Sequence, residues 1–129
     1  MEESIKVLII DDDAILVFLL EKMIVNHGLD KNPLSFENGQ FALDFLMQNV
    51  EVGHLYIIFL DINMPVLNGW MFLEELSNFG EPEQFHVYMF SSSTDQSDVK
   101  RAMKSNYTRD YLIKPITPNR IETIKKKFS

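Results

Sequence analysis

Leu55–Leu60 (L-Y-I-I-F-L) is apolar or aromatic at every position and runs directly into Asp61. A strand apolar on both faces belongs in the middle of a parallel sheet covered by helices on either side. The rest of the chain supplies the partners. Ile5–Ile10 is a short β-branched run followed at once by Asp11-Asp12-Asp13. From Ala14 to His27 apolar residues recur at 15, 16, 19, 20, 23 and 24, a helical face that Gly28 closes as C-cap. Asn32-Pro33 precedes a weak strand at Leu34–Phe36, and Asn38-Gly39 leads into a helix over 40–49 with Phe41, Ala42, Phe45 and Leu46 inward. After Asp61, Pro65 and Gly69 punctuate a loop before a helix over Trp70–Asn78, stopped by Gly80 and Pro82.

His86–Phe90 is a fourth strand, ending in Ser91-Ser92-Ser93-Thr94, and Gln96–Ser105 is an amphipathic helix through Val99, Ala102 and Met103. Tyr111–Ile113 is a short fifth strand before Lys114-Pro115. Thr117 caps a last helix with Pro118 in its first turn, and the helix runs to Lys125-Lys126-Lys127. Five strands alternating with five helices predict an α/β domain with a parallel sheet, helices on both faces and right-handed crossovers.

The length of 129 residues fits one domain, 1–129, with its core at about 5–127 and no output domain expected. Cys 0 excludes disulfides and thiolate metal sites, and His27, His54 and His86 have no metal-ligand spacing. A net charge of −7 disfavours nucleic acid and anionic membranes as partners. No apolar run approaches the roughly twenty residues of a membrane span. The acidic start, Glu2-Glu3, does not suit a secretory leader, so a cytoplasmic location is expected.

Polar residues fall at the strand ends: Asp11-Asp12-Asp13, Asp61, Ser91-Ser92 and Lys114. In an open parallel sheet these gather at one carboxyl edge, where such sheets bind ligands. Each has an ordinary structural reading as well. An Asp caps helices, Asp61 before Asn63 suits an Asx turn, and serines or Lys-Pro fill surface loops. Their coincidence at one edge is harder to explain that way. Carboxylates 4 Å apart repel by roughly 4 kcal/mol per pair at an effective dielectric near 20, so they favour a cation between them. An oxygen-only ligand set suits Mg²⁺, with Mn²⁺ as a substitute. A carboxylate beside such a metal, a hydroxyl and a lysine is equipped to accept a phosphoryl group as an acyl phosphate.

The blocks V-L-I-I-D-D-D, I-I-F-L-D-I-N-M-P-V-L-N-G, V-Y-M-F-S and Y-L-I-K-P, in this order, resemble the response-regulator receiver domains of two-component signalling. The resemblance covers Ile5 to about Lys127 and implies a flavodoxin-like sheet of strand order 2-1-3-4-5. It implies Asp61 as phosphoacceptor, with Mg²⁺ on Asp11, Asp12, Asp61 and the backbone carbonyl of Asn63. Lys114 would bridge to the phosphoryl group, Pro115 would follow a cis bond, and Tyr111 would be the switch aromatic. Counting by the family's spacing from Asp61 selects Ser91 as the switch hydroxyl, whereas counting back from Lys114 selects Ser92. The discrepancy predicts one inserted residue within Ser105–Asp110, and strand continuity favours Ser91. Asp13 would cap a helix, and Met64, Met71 and Met89 would pack.

The implied function is a phosphorylation-controlled switch. A sensor histidine kinase or histidine phosphotransfer protein would donate the phosphoryl group, and a downstream protein would read the surface of helix four, strand five and helix five. The domain would be a monomer when unphosphorylated and would catalyse its own phosphorylation and dephosphorylation. The alternative is a haloacid-dehalogenase-like phosphatase that uses Asp11-Asp12-Asp13 as its D-x-D. That alternative leaves Asp61-Ile62-Asn63-Met64-Pro65 without a role and lacks the late acidic pair. A pseudo-receiver, a docking module of the same fold, would have lost an acid or the lysine that this chain keeps.

Overall fold

A computed structural model of the chain describes residues 4–49, 54–64 and 67–128. In chain order the elements are β1 (Ser4–Ile10), α1 (Ala14–Asn26), β2 (Leu34–Phe36), α2 (Gly39–Asn49), β3 (His54–Asp61), α3 (Gly69–Leu76), β4 (Phe85–Ser91), α4 (Gln96–Met103), β5 (Thr108–Ile113) and α5 (Pro118–Lys126). The five strands form one parallel sheet in the order β2-β1-β3-β4-β5. The central strand is β3, buried from Leu55 to Asp61, as its unbroken apolar sequence requires.

Strand side chains alternate between two cores. Leu8, Ile10, Ile58, Leu60, Val87 and Met89 face α2, α3 and α4 and meet Leu46, Phe72, Leu76 and Ala102. Val7, Ile9, Ile57, Phe59, Tyr88 and Phe90 face α1 and α5 and meet Leu20, Ile24, Ile121 and Ile124. Each fully buried aliphatic side chain is worth about 2 kcal/mol, so the two cores together anchor the sheet from both sides.

Local chemistry sets most helix ends. Asp13 caps α1 by accepting from the amides of Ile15 and Leu16, both at 3.1 Å. Gly28, at φ +73°, ends α1 by turning left-handed, so that Leu29 N–H reaches back to Ile24 C=O at 3.1 Å. Asn68 caps α3 and Asp95 caps α4. Thr117 occupies the expected N-cap of α5, but its side chain makes no capping bond.

Several sequence expectations are revised. The buried stripe of α1 is Val17, Leu20 and Ile24, leaving Ile15 and Leu19 exposed, and Phe41 of α2 is exposed while Leu43 is buried. These helices are apolar on more than one face, so periodicity alone does not choose the inner one. Met71 and Met103 are exposed, whereas Met64 and Met89 pack in the core. Helix α3 ends at Leu76, and β5 begins earlier than expected, at Thr108. Pro65 lies outside the described residues.

The start of β5 is irregular within the stretch where the inserted residue is expected. Val87 pairs with Thr108 but Tyr88 pairs with Asp110, so Arg109 is the extra residue of a β-bulge. Its guanidinium is spent on the Pro82 carbonyl and the preceding Tyr107 hydroxyl on the Gly80 carbonyl, which ties the irregular stretch to the turn before β4. The bulge restores the register, and Met89 then pairs with Tyr111 and Ser91 with Ile113.

Candidate functional site

The sheet register itself lines up the polar residues. Ile10 pairs with Leu60, so Asp11 leaves β1 beside Asp61 at the end of β3. Asp61 pairs with Phe90, which puts Ser91 next in line, and Ser91 pairs with Ile113, which puts Lys114 one step beyond. Carboxylate oxygens of Asp11, Asp12 and Asp61 lie within 4.8 Å of one another. Asp11 and Asp61 are buried while Asp12 is exposed, so the cluster opens to water on one side.

Lys114 lies between the two buried acids. Its Nζ donates to Asp11 Oδ2 at 2.8 Å and stands 3.5 Å from Asp61 Oδ1. The ammonium also sits 4.8 Å from the centre of the Phe90 ring, a cation–π contact that helps hold a half-buried lysine. Its backbone N–H donates to Ser91 C=O at 2.9 Å, and the Lys114–Pro115 peptide is cis. Asp11 Oδ1 accepts the Asp13 amide at 2.9 Å, so both Asp11 oxygens are engaged. Asp61 Oδ1 accepts the Asn63 amide at 3.3 Å.

Burial, then the neighbouring Asp11 charge, pushes the Asp61 carboxyl up from 3.8 to about 6, against the pull of Lys114. Burial alone lowers the Lys114 ammonium. The hydrogen bond to Asp11 and the charges of Asp61 and Asp11 outweigh this and hold it above the ordinary lysine value. One ammonium therefore serves two carboxylates, and the site keeps a net negative charge once all are ionised. Three hard oxygen donors around an open, negative cleft could hold a divalent cation, and no softer ligand stands among them.

The two serines that the sequence offers for one position differ in burial and in contacts. Ser91 is buried at the end of β4, its Oγ accepting the Ser93 amide at 3.1 Å, while Ser92 is exposed. Tyr111 is buried too, its hydroxyl donating to Ser93 C=O at 3.1 Å. Ser93 Oγ in turn donates to Asp98 Oδ2 at 3.1 Å and accepts the Asp95 amide at 3.2 Å. A continuous chain of contacts thus runs from the acidic cleft through the β4–α4 loop to α4 and β5.

Gly69 has a closer tie to the site than its reading as loop punctuation. Its amide donates to Ile62 C=O at 2.9 Å, and a Cβ there would lie 2.8 Å from the Asp61 carbonyl oxygen and 3.0 Å from Ile62 Cα. Only a residue without a side chain lets α3 start this close to the Asp61 backbone. Its position eight residues after Asp61 was the available signal. Asp13, required as a second catalytic acid by the phosphatase alternative, is instead committed to capping α1.

Comparison with known proteins agrees with this geometry. The response regulator receiver domain family matches residues 7–126. A two-component response regulator from Cytophaga hutchinsonii is 30% identical, with a TM-score of 0.87 and 98% of both chains covered. The receiver domain of the response regulator Ssk1, solved with the histidine phosphotransfer protein Ypd1 of Saccharomyces cerevisiae, shares the fold at 23% identity and a TM-score of 0.77, covering 99% of this chain and 90% of that one. The osmosensing histidine protein kinase SLN1 of Saccharomyces cerevisiae is 24% identical over 98% of this chain, which spans 10% of that protein's length. Among the described residues no helix is long and apolar enough to cross a membrane. From β1 to α5 the chain belongs to the response regulator receiver domains, the phosphorelay modules of two-component signalling.

Proposed function

We propose that Asp61 accepts a phosphoryl group from a phosphohistidine, carried by a sensor histidine kinase or a histidine phosphotransfer protein, in a Mg²⁺-dependent reaction. The observation that carries this reading is the convergence of Asp11, Asp12 and Asp61 within 4.8 Å, with Lys114 3.5 Å from Asp61. Asp11, Asp12, Asp61 and the Asn63 carbonyl would hold Mg²⁺, or Mn²⁺ in its place. The bound ion would supply charge neutralisation at the phosphoryl oxygens.

The chain's own residues account for the remaining steps. With its pKa near 6, Asp61 is ionised at neutral pH and more basic than an ordinary carboxylate, which favours nucleophilic attack. An Asp61 oxygen forms the bond to phosphorus in line as the bond to the donor's imidazole nitrogen breaks, and the imidazole leaves with the electron pair. Lys114 shifts its hydrogen bonding from Asp61 toward a phosphoryl oxygen while Asp11 keeps it anchored. Hydrolysis of the acyl phosphate by water returns Asp61, in a self-dephosphorylation that resets the switch.

The added charge of about −2 draws the Ser91 hydroxyl toward the phosphoryl group. That movement biases the position of the Ser93 loop and of Tyr111 between two states, and so the surface of α4, β5 and α5. A downstream protein reads that surface. The unphosphorylated domain is monomeric, acts in the cytoplasm and engages neither nucleic acid nor membrane.

Incubation with acetyl phosphate and Mg²⁺ tests the central step. Intact-mass analysis is expected to show one added phosphoryl group on the native chain and none on Asp61→Asn. Equal labelling of both would overturn the assignment.

A further inference from the structure

The acidic cleft rests on one of the two cores. Ile9, Phe59, Phe90 and Leu112 all face α1 and α5. Asp11 follows Ile9 by two residues and Asp61 follows Phe59 by two, so strand alternation returns both acids to that side. Lys114 follows Leu112 in the same way, and its amide still bonds Ser91 C=O at 2.9 Å, which carries the β4–β5 ladder past the end of β5. Phe90 pairs with Asp61 on one side and with Leu112 on the other. Its ring is the part of the core that the Lys114 ammonium covers, with Nζ 4.8 Å from the ring centre.

Packing alone asks only for an apolar side chain at this fully buried position. An aromatic ring adds a negative π face beneath a cation. Phe59 meets the ring at 84°, with 6.4 Å between centres, and so helps to fix its plane. The cations over Phe18, Trp70 and Tyr88 are the exposed Lys22, Arg101 and Lys127, where water weakens the attraction. Lys114 is half-buried, so its contact is less screened.

The ammonium has two buried carboxylates in reach, Asp11 at 2.8 Å and Asp61 at 3.5 Å. We propose that Phe90 is a positioning residue for phosphoryl transfer: together with Asp11, its ring face holds the Lys114 ammonium short of a close ion pair with Asp61 and within reach of an incoming phosphoryl oxygen. The inference rests on Asp61 being the acceptor. The ring attracts the ammonium without taking a proton or a hydrogen-bond direction from it, so the lysine stays charged and free to turn toward phosphorus. With a weaker ring face the ammonium closes on Asp61, occupies the oxygen that must attack, and transfer slows.

Fluorine on the ring tests this, because it drains the π face while changing the shape little. Mono-, di- and trifluorophenylalanine, placed at position 90 alone, are expected to slow labelling by acetyl phosphate and Mg²⁺ in graded steps, reaching about fivefold. The loss is expected in the rate at saturating acetyl phosphate, with the half-saturating concentration little changed. Phe90→Leu should fall as far as the trifluoro ring. The same series in Lys114→Gln separates charge from shape, since there the ring has no cation to lose. In urea without divalent ions, trifluoro substitution is expected to shift the unfolding constant about fivefold more with Lys114 than with Gln at 114. Should Lys114→Gln not fold, the Lys114 ε-methylene protons decide: the ring face shields them in the native chain, and Phe90→Leu should release them. Equal rates across the series, equal losses with and without the lysine charge, a change confined to the half-saturating concentration, or unshielded ε-methylene protons overturn the inference. Asp61 is judged apart by intact mass. A native chain that takes no label overturns Asp61, and the urea comparison then decides whether Phe90 holds Lys114.

Discussion

Lys114 Nζ lies 2.8 Å from Asp11 but 3.5 Å from Asp61. The lysine is held by the acid that is not the proposed acceptor, which leaves Asp61 the less neutralised of the two. The same ammonium also offsets the repulsion between the two buried carboxylates. Lys114→Ala is therefore expected to lower stability at neutral pH by about 3 kcal/mol, because it strands both buried charges. The loss should shrink on acidification, as Asp61 protonates. Urea denaturation without divalent ions at pH 7.5 and pH 5 would measure both effects.

Asp61 has its own pH signature. Its carboxyl titrates near 3.8 when unfolded and near 6 when folded, so between these values the native state binds more protons. Stability contributed by the protonated form is full below about pH 4, falls as pH rises through 6, and is then absent. The difference between these values corresponds to about 3 kcal/mol. Asp61→Asn is expected to be more stable than the native chain at pH 7.5 by up to that amount and to match it at pH 4. Mg²⁺ should offset the penalty in the native chain, by about 1.4 kcal/mol at ten times its dissociation constant. Asp12→Asn should weaken that response, as thermal melts with Mg²⁺ or a chelator would show.

Ser91 and Ser92 differ in burial and in contacts, so their removal should differ in kind. Ser91→Ala is expected to leave Asp61 able to take a phosphoryl group from acetyl phosphate while uncoupling it from α4 and β5. Amide chemical shifts around Ser93, Val99 and Tyr111 would then change little on phosphorylation. Ser92→Ala should preserve both labelling and shift changes. The reverse pattern would transfer the switch role to Ser92.

Gly69→Ala is expected to be destabilising although the added group is one methyl. Its Cβ would meet the Asp61 carbonyl at 2.8 Å and Ile62 Cα at 3.0 Å, and backbone cannot rotate away as a side chain can. A cost of about 1–3 kcal/mol follows from overpacking of this kind. Phosphorylation by acetyl phosphate should slow as well, because the strain falls on the Asp61 backbone. Gly80→Ala, which also crowds Phe85 at 2.9 Å, serves as a control for strain away from the site.

Much of the architecture was legible along the chain. The unbroken apolar run before Asp61 marked the central strand, Asp13 and Gly28 marked the ends of α1, and the polar residues after successive strands marked one sheet edge. All of these depend on a residue and its near neighbours, where helix and strand periodicity and capping chemistry act.

Other features arise between segments distant in sequence. Val17 rather than Ile15 or Leu19 faces the sheet because α1 must fit against β1, β3 and α5, and an apolar surplus in the helix hides that choice. Ser91 rather than Ser92 is buried because Ser91 is the last residue of β4 and pairs with Ile113, while Ser92 lies beyond the strand. Lys114 bonds Asp11 in preference to Asp61, and Gly69 touches the Asp61 backbone, only because strand pairing brings loops far apart in the chain to one edge. Such contacts answer to sheet register and packing in three dimensions, and no local pattern of residues encodes them.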